Sequence, residues 1–143
     1  QHQPMLRSWA RRAIAFSLIQ SGKGPHNMHV TRFSEDPAYY PPAHYDMRCL
    51  RLQGREAGPS SQMWLGMSQI LPGGHTDPDA SPMEKIYFVV EGELTIETPE
   101  GEAVLKPHDS CRIAPGESRT LKNKTNRPVM VVLAMPLEPA KAA

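Results

Sequence analysis

The sequence predicts an all-β fold, a sandwich or a barrel, on three observations. Fifteen prolines and ten glycines in 143 residues disfavour long helices, because proline lacks the N–H donor and clashes with the preceding turn. Short segments rich in Ile, Val, Leu, Tyr and Thr recur at a spacing of roughly 8–12 residues, as in all-β domains. Pro99-Glu100-Gly101 places proline and glycine where a tight hairpin turn needs them. The length suits a single domain with one core.

Composition excludes several classes of protein. A net charge of +1 and a pI of about 8.0 argue against a dedicated nucleic-acid surface. Two cysteines, Cys49 and Cys111, are too few for a disulfide-dense scaffold or a thiolate zinc site. The sequence contains no apolar run of about 18 residues, which a transmembrane helix needs. We therefore expect a cytoplasmic protein that binds neither nucleic acid nor membrane.

Residues 1–27 are predicted to form a basic N-terminal extension. They carry four basic residues and no acid, a charge of +4 against −3 for residues 28–143. Apolar residues fall at helical spacing over Met5–Ile19, which predicts a short amphipathic helix. An arginine-rich, acid-free segment is also typical of a targeting sequence. We favour an extension that packs on the barrel or on a partner.

Residues 28–46 are predicted to form an extended arm. Three prolines and three tyrosines concentrate between Pro37 and Tyr45, and a residue that precedes proline favours extended backbone. Such an arm would lie across the barrel or across a subunit interface. Because exposed sheet edges need covering, we expect a homodimer in which Pro37–Tyr45 crosses the interface.

The barrel itself is predicted over residues 47–136, followed by a tail at 137–143. Each predicted strand is bounded by turn residues such as Gly54, Gly92 and Gly101. The loop 54–61 and the polar segment 74–83 separate the first three strands. The eight predicted strands are Met47–Gln53, Met63–Leu71, Lys85–Val90, Leu94–Thr98, Ala103–Leu105, Ser110–Ile113, Arg119–Lys122 and Val129–Ala134.

Two segments resemble the two sequence motifs of the cupin superfamily. Leu71–Glu93 reads LPGGHTDPDASPMEKIYFVVEGE, and Lys106–Asn123 reads KPHDSCRIAPGESRTLKN. Both keep the spacing of the family's scaffold positions, which here hold Gly73, Gly92 and Gly116 among others. The resemblance implies a double-stranded β-helix, or jelly-roll barrel, of two antiparallel sheets with a pocket at its centre.

The resemblance also implies where a metal would bind, and this chain departs from the family there. In cupins, two histidines, a glutamate and a later histidine ligate one metal ion. The corresponding positions here hold Asp79, Ser81, Lys85 and Arg119. Lysine and arginine are cations at neutral pH and offer no lone pair to a metal. We therefore predict neither a metal nor another cofactor at this site.

Alternation along the strands predicts which side chains face the pocket. If Lys85 points inward, Tyr87 does too, and Cys111 lies on a neighbouring inward row. Two inward cations make an anion site, in which Arg119 can grip a carboxylate and Lys85 can stabilise an enolate or move a proton. The candidate catalytic residues are Lys85, Asp79 and Tyr87. The candidate substrate-binding residues are Arg119, Ser81 and Cys111.

These residues predict a metal-independent cupin enzyme that acts on a small, carboxylate-bearing anion by proton transfer, as a lyase or isomerase. A non-catalytic cupin that binds or senses a small organic acid would need the same pocket. Lys85 and Arg119 could also pair with Asp79 in an inert buried network. A metalloenzyme with the non-standard loop ligands His75, Asp77 and Glu84 is a further alternative.

Overall fold

The computed structural model describes residues 27–138. The predicted N-terminal helix at 5–19 and most of the predicted tail lie outside these residues. Among the described residues, no helix is long and apolar enough to cross a membrane. Two single turns of 3₁₀ helix, Phe33–Glu35 and Arg55–Ala57, are the helical elements of this part of the chain.

Strands account for the rest of the regular structure. All eight predicted strands are present, and two further strands of two residues each accompany them. The ten strands of residues 27–138 are β1 Ala38–Tyr39, β2 His44–Gln53, β3 Met63–Thr76, β4 Asp79–Ala80, β5 Lys85–Glu91, β6 Leu94–Thr98, β7 Gly101–Leu105, β8 Ser110–Ile113, β9 Ser118–Lys122 and β10 Val129–Pro136.

The strands form a rolled antiparallel sheet with the shape of a nearly closed barrel. Its main path runs β7-β6-β9-β3-β10-β5-β8, with β2 beside β3, β1 beside β2 and β4 beside β9. The long strand β3 therefore pairs with β2, β9 and β10. This all-β jelly-roll architecture confirms the predicted fold class.

Strand β3 is longer than the sequence predicts. The prediction that it ends at Pro72-Gly73-Gly74 is wrong, because the strand continues to Thr76. Met47 of β2 pairs with Ile70 of β3, whereas Tyr45 pairs with His75. The four residues of β3 between these two pairs therefore form a bulge opposite a single residue of β2, Asp46. Gly73 takes a φ of 80° within this bulge, a conformation that glycine adopts without steric strain.

The arm folds back on its own barrel. Ala38 and Tyr39 pair with Leu50 and Cys49 of β2 in the same chain. His44 and Tyr45 already belong to β2, so the barrel begins three residues before the predicted boundary at residue 47. The Tyr39 ring packs edge-on against Trp64, 5.9 Å between centroids. In this chain the segment thus covers the barrel at β2.

The core fills the space enclosed by the rolled sheet. It is built from alternate residues of the strands, including Val89 on β5, Leu94 and Ile96 on β6, and Leu121 on β9. Gly92 separates β5 from β6 with a φ of 82°. A Cβ atom at this position would lie 2.6 Å from the Pro128 carbonyl oxygen. The turn that joins the two strands therefore requires glycine.

Candidate active site

The strand registers bring the predicted pocket residues to one place. In the β4–β9 pair, Asp79 lies directly opposite Arg119. In the β5–β8 pair, Tyr87 lies opposite Cys111, and directly opposite residues share one face of a sheet. Lys85, Tyr87 and Arg119 are all buried. The three side chains therefore lie on the inner side of the sheet.

Arg119 is the more deeply buried cation, with 4% of its surface exposed. Its Nε donates a hydrogen bond to the Tyr87 hydroxyl at 2.7 Å. Its Nη1 lies 3.9 Å from Asp79 Oδ2, close enough for attraction but too far for a hydrogen bond. Within residues 27–138, Nη1 has no hydrogen-bond partner. The guanidinium is thus held in place through Nε, while the N–H groups of Nη1 have no acceptor in the described chain.

Lys85 is the second buried cation, with 8% of its surface exposed. No carboxylate of the described chain lies within 4.0 Å of its ammonium group. Burial is the main cause that lowers the pKa of Lys85 to about 8, and the positive charge of Arg119 lowers it further while Asp79 opposes the change. At pH 7 the group is mostly protonated, yet it can release its proton far more easily than an exposed lysine.

Tyr87 lies on β5, two residues after Lys85, and is almost fully buried, with 2% of its surface exposed. Burial raises the pKa of Tyr87, although the Arg119 charge and hydrogen bond oppose this. The hydroxyl oxygen accepts from Arg119 Nε, so the phenolic proton remains available. Tyr87 is therefore a neutral hydrogen-bond or proton donor at this site.

Asp79 lies at the mouth of the pocket rather than within it. Its side chain is 61% exposed, which corrects the prediction that it fills the interior beside Lys85. The physical reason is that β4 contributes two residues at the sheet margin and is exposed at both. Asp79 can attract Arg119 from the solvent side, but it does not neutralise both buried cations.

Ser81 and Cys111 contribute less than the sequence predicts. Ser81 Oγ accepts a hydrogen bond from its neighbour's backbone, Met83 N–H, at 3.0 Å, so it serves the loop. Cys111 faces the same side as Tyr87 and packs against the core. Burial, with the charge of Glu117, raises the pKa of Cys111. Its sulfur is a neutral thiol that lines the wall.

The structure adds one residue that the sequence reasoning did not select. His44, the first residue of β2, is partly buried, and its environment includes the charges of Arg119, Lys85 and Asp79. Its Nδ1 lies 2.7 Å from the Pro42 carbonyl oxygen. No spacing in the sequence signals this placement, because β2 precedes both motif segments and reaches the site through its pairing with β3.

Comparison with known proteins agrees with this architecture. Residues 66–135 match the family model described as a cupin domain. The chain is 39% identical over 108 residues to beta-D-galactosidase Rv1717 of Mycobacterium tuberculosis, an alignment that covers 76% of this chain and 93% of that protein. The chain belongs to the cupin superfamily.

Solved structures support the same fold for this cupin. The polyketide cyclase RemF from Streptomyces resistomycificus matches with a TM-score of 0.70 and 18% identity, over 78% of this chain and 80% of that one. A predicted oxalate decarboxylase from Thermotoga maritima matches with a TM-score of 0.63 and 19% identity, over 78% of this chain and all of that one. At sequence identities below 20%, the similarity to these two structures shows a shared barrel fold.

The residues of this cupin do not fit the metal that the family implies. Lys85 and Arg119 occupy two of the four ligand positions, and both are buried cations. A divalent ion between them would meet repulsion and would find one exposed carboxylate, Asp79. Across residues 27–138, no group of three His, Cys, Asp or Glu side chains is placed to hold a metal.

The alternative loop ligands are not brought together. Asp77 accepts a hydrogen bond from the Tyr45 hydroxyl at 3.0 Å, and His75 stacks on the Tyr45 ring with centroids 4.8 Å apart. Glu84 instead forms an ion pair with Arg112 on the outer surface. The hypothesis of a metal site built from these three residues is therefore not supported by their placement.

Proposed function

We propose that this cupin is an enzyme that binds a small, carboxylate-bearing molecule between Lys85 and Arg119 and acts on it by proton transfer, as an isomerase or lyase. One observation carries the proposal: two cations are buried on the inner face of the barrel, and the described residues give them one distant, exposed carboxylate as counter-charge. A bound anion would supply the missing charge.

The energetics of burial support this reading. An unpaired buried charge destabilises a fold by several kcal/mol, so buried cations are usually matched by partners. Asp79 Oδ2 lies 3.9 Å from Arg119 Nη1, and the Asp79 side chain is largely exposed to solvent. The carboxylate therefore offsets little of the Arg119 charge. Arg119 Nε is already bonded to Tyr87, so a ligand carboxylate would meet the two terminal nitrogens. That end of the guanidinium forms paired hydrogen bonds with a carboxylate.

The chemistry follows from the three buried polar groups. A carboxylate held by Arg119 would place the adjacent carbon near Lys85, whose ammonium would stabilise negative charge that develops when a proton leaves that carbon. Lys85 can also exchange its own proton, since its pKa is about 8. Tyr87 stays protonated and can donate to an oxygen of the ligand. None of these roles needs a metal.

A turnover and melting experiment tests the proposal. Wild type, Arg119→Gln and Lys85→Met are melted with and without a panel of small carboxylic acids, and conversion of each acid is followed by NMR. We expect at least one acid to raise the Tm of the wild type and to be converted. Lys85→Met should fold and should lose turnover.

The alternatives predict other outcomes of the same experiment. Stabilisation by an acid without any conversion would indicate a binding or sensing protein. If no acid stabilises the wild type and both variants merely change in stability, the cations form an inert network and the proposal is wrong. Arg112→Gln, an exposed arginine on the outer surface, is the matched control and should behave as wild type.

A second candidate function rests on the relative named beta-D-galactosidase, which shares 39% identity with this chain. Glycoside hydrolysis usually needs two carboxyl groups that flank the bond. Asp79 is one carboxylate at the pocket mouth, and Glu117 is a second carboxylate whose charge acts on Cys111. Release of nitrophenol from nitrophenyl β-D-galactopyranoside, and its loss in Asp79→Asn, would favour this function over the first.

A further inference from the structure

We propose that His44 is the catalytic base of this pocket, the residue that accepts the proton. This inference rests on the proposed function, because proton transfer needs such a base. His44 lies on β2, outside the segments that supply the two cations. The charges of Lys85, Arg119 and Asp79 all act on its ring.

Strand pairing places His44 on the inner face of the barrel. It lies directly opposite Thr76 of β3, and Thr76 is fully buried, where its hydroxyl accepts a hydrogen bond from Leu121 N–H at 3.0 Å. The next residue, Tyr45, points the other way and stacks on His75 at the surface. Because side chains alternate along a strand, the His44 ring faces inward at the barrel mouth.

The hydrogen bond of the ring fixes its tautomer. His44 Nδ1 lies 2.7 Å from the Pro42 carbonyl oxygen, and a carbonyl oxygen can only accept. Nδ1 therefore carries the proton, and Nε2 of the neutral ring keeps a lone pair. Within the described chain Nε2 has no hydrogen-bond partner. A bonded Nδ1–H with a free Nε2 is the arrangement of a histidine that acts as a base.

Burial and the two neighbouring cations keep the ring neutral. Burial is the main cause that lowers the pKa of His44, and Arg119 from β9 and Lys85 from β5 lower it further. Asp79 from β4 and the Pro42 carbonyl act in the opposite direction. The net effect leaves His44 unprotonated at pH 7 and ready to accept a proton beside the two cations that would hold the anion.

The backbone on both sides of His44 is held in an unusual conformation. Ala43 has a φ of 58° and Asp46 a φ of 51°, in the left-handed region that residues other than glycine rarely adopt. The Ala43 carbonyl accepts a hydrogen bond from Asp77 N–H at 3.0 Å, which ties this turn to the loop that leads to Asp79. Such strain is concentrated at functional sites.

The proposed step is a balanced proton transfer. His44 Nε2 takes the proton from the carbon next to the bound carboxylate or carbonyl group, and the C–H electron pair moves to the oxygen that faces Lys85 and Arg119. The ring becomes an imidazolium and the substrate an enolate. Return of the proton to a different carbon gives an isomer. A lyase product forms when the enolate electron pair makes a C=C bond and a leaving group departs from the next carbon with its own bonding pair.

Nitrogen NMR of the whole ¹⁵N-labelled chain tests the state of the ring. The His44 signals are assigned by their loss in His44→Gln. We expect a neutral ring with its proton on Nδ1 at pH 7 and a pKa below 6.5, the ordinary value for histidine. Saturating acetate should raise this pKa, because the anion offsets the cations. A proton on Nε2, or a charged ring at pH 7, would overturn the proposal.

Proton exchange tests the role itself. The probe is pyruvate in deuterium oxide, and the measurement is the rate at which its methyl protons exchange. We expect His44→Gln to bind acetate within about twofold of wild type and to exchange pyruvate protons at least a hundredfold more slowly. His108→Gln, which alters an exposed histidine in a turn, should exchange at the wild-type rate.

The outcomes separate this inference from the proposed function. If acetate does not bind the wild type, the proposed anion site is wrong, and the proposed role of His44, which depends on that site, is wrong as well. If acetate binds and the wild type exchanges no proton, or His44→Gln exchanges as fast as wild type, the anion site stands and the role of His44 is wrong.

Discussion

Arg119 and Tyr87 are joined by a hydrogen bond across the interior of the barrel. The donor Nε lies 2.7 Å from the hydroxyl oxygen, yet β9 and β5 are not neighbours, since β3 and β10 separate them in the sheet. The bond therefore connects two walls rather than two adjacent strands. It orients the guanidinium so that its terminal nitrogens, rather than Nε, are left for an anion.

Replacing Tyr87 tests the importance of this bond. Tyr87→Phe should lower the free energy of unfolding by about 1–3 kcal/mol, because it leaves Arg119 Nε buried without an acceptor. Urea denaturation measures the change. Tyr45→Phe is the control, since it loses an exposed hydrogen bond to Asp77 and should change stability by less than about 1 kcal/mol. Equal stability of the two variants would show that the Arg119–Tyr87 bond contributes nothing.

The pKa of Lys85 predicts a pH-dependent stability. Its folded pKa, about 8, lies below the ordinary value of 10.5, so between these values the unfolded chain binds more protons and the group's contribution to stability rises with pH. Below pH 8 the buried ammonium destabilises the fold. Lys85→Met removes this penalty.

Urea denaturation at pH 7 and pH 10 measures the effect. Lys85→Met should be more stable than wild type at pH 7, and its advantage should shrink as pH rises from 8 towards 10.5. The matched control is Lys106→Met, at an exposed lysine, which should show no such trend. A constant difference between Lys85→Met and wild type at both pH values would contradict the assignment.

The sequence was sufficient for the strands but not for every contact between them. Lys85–Val90 and Leu94–Thr98 are identifiable because alternation and turn residues are local signals. The continuation of β3 through Pro72–Gly74 depends on its pairing with β2 opposite Asp46, and no local pattern encodes that register. The two-residue strand β4 exists through its pairing with β9 and is too short to have a periodicity.

The candidate site, like the fold, could be predicted from local patterns only in part. The inward direction of Lys85, Tyr87 and Arg119 follows from alternation once the motif is aligned. The exposure of Asp79 depends on its position at the sheet margin, and the approach of His44 depends on the β2–β3 register. Both are long-range consequences of the fold, which explains why the sequence reasoning misplaced the first and missed the second.

An exposed apolar row on β5 predicts where two copies would associate. Ile86, Phe88 and Val90 alternate with the inward residues and are all exposed, and a contiguous apolar surface of this kind marks an association site. We propose a homodimer through this row, since the arm of this chain pairs with its own β2. Light scattering should show a dimer for wild type and a monomer for Phe88→Glu.

Val104→Glu is the control for the dimer, because Val104 is exposed on β7 and four strands separate β7 from β5 in the sheet order. It should remain dimeric. A monomeric wild type at tens of micromolar, or a dimeric Phe88→Glu, would contradict the proposed interface.

The loss of the usual ligands predicts little bound metal. Protein purified without chelator should carry far less than one equivalent of zinc, iron, manganese, nickel or copper, since Lys85 and Arg119 repel a cation at the family's metal position. Elemental analysis after dialysis measures this. Near-stoichiometric metal in wild type that disappears in Asp79→Ala would show that the pocket binds a metal after all.

The most direct test of the anion site is a calorimetric titration of wild type and Arg119→Gln with the acid that stabilises the wild type most. Arg119→Gln removes charge-assisted hydrogen bonds worth about 1.5–3 kcal/mol, so its Kd should be roughly ten- to hundredfold higher at an unchanged fold. Arg112→Gln should bind as wild type does. Equal affinity of wild type and Arg119→Gln for that acid would contradict the proposal that the buried cations hold the ligand.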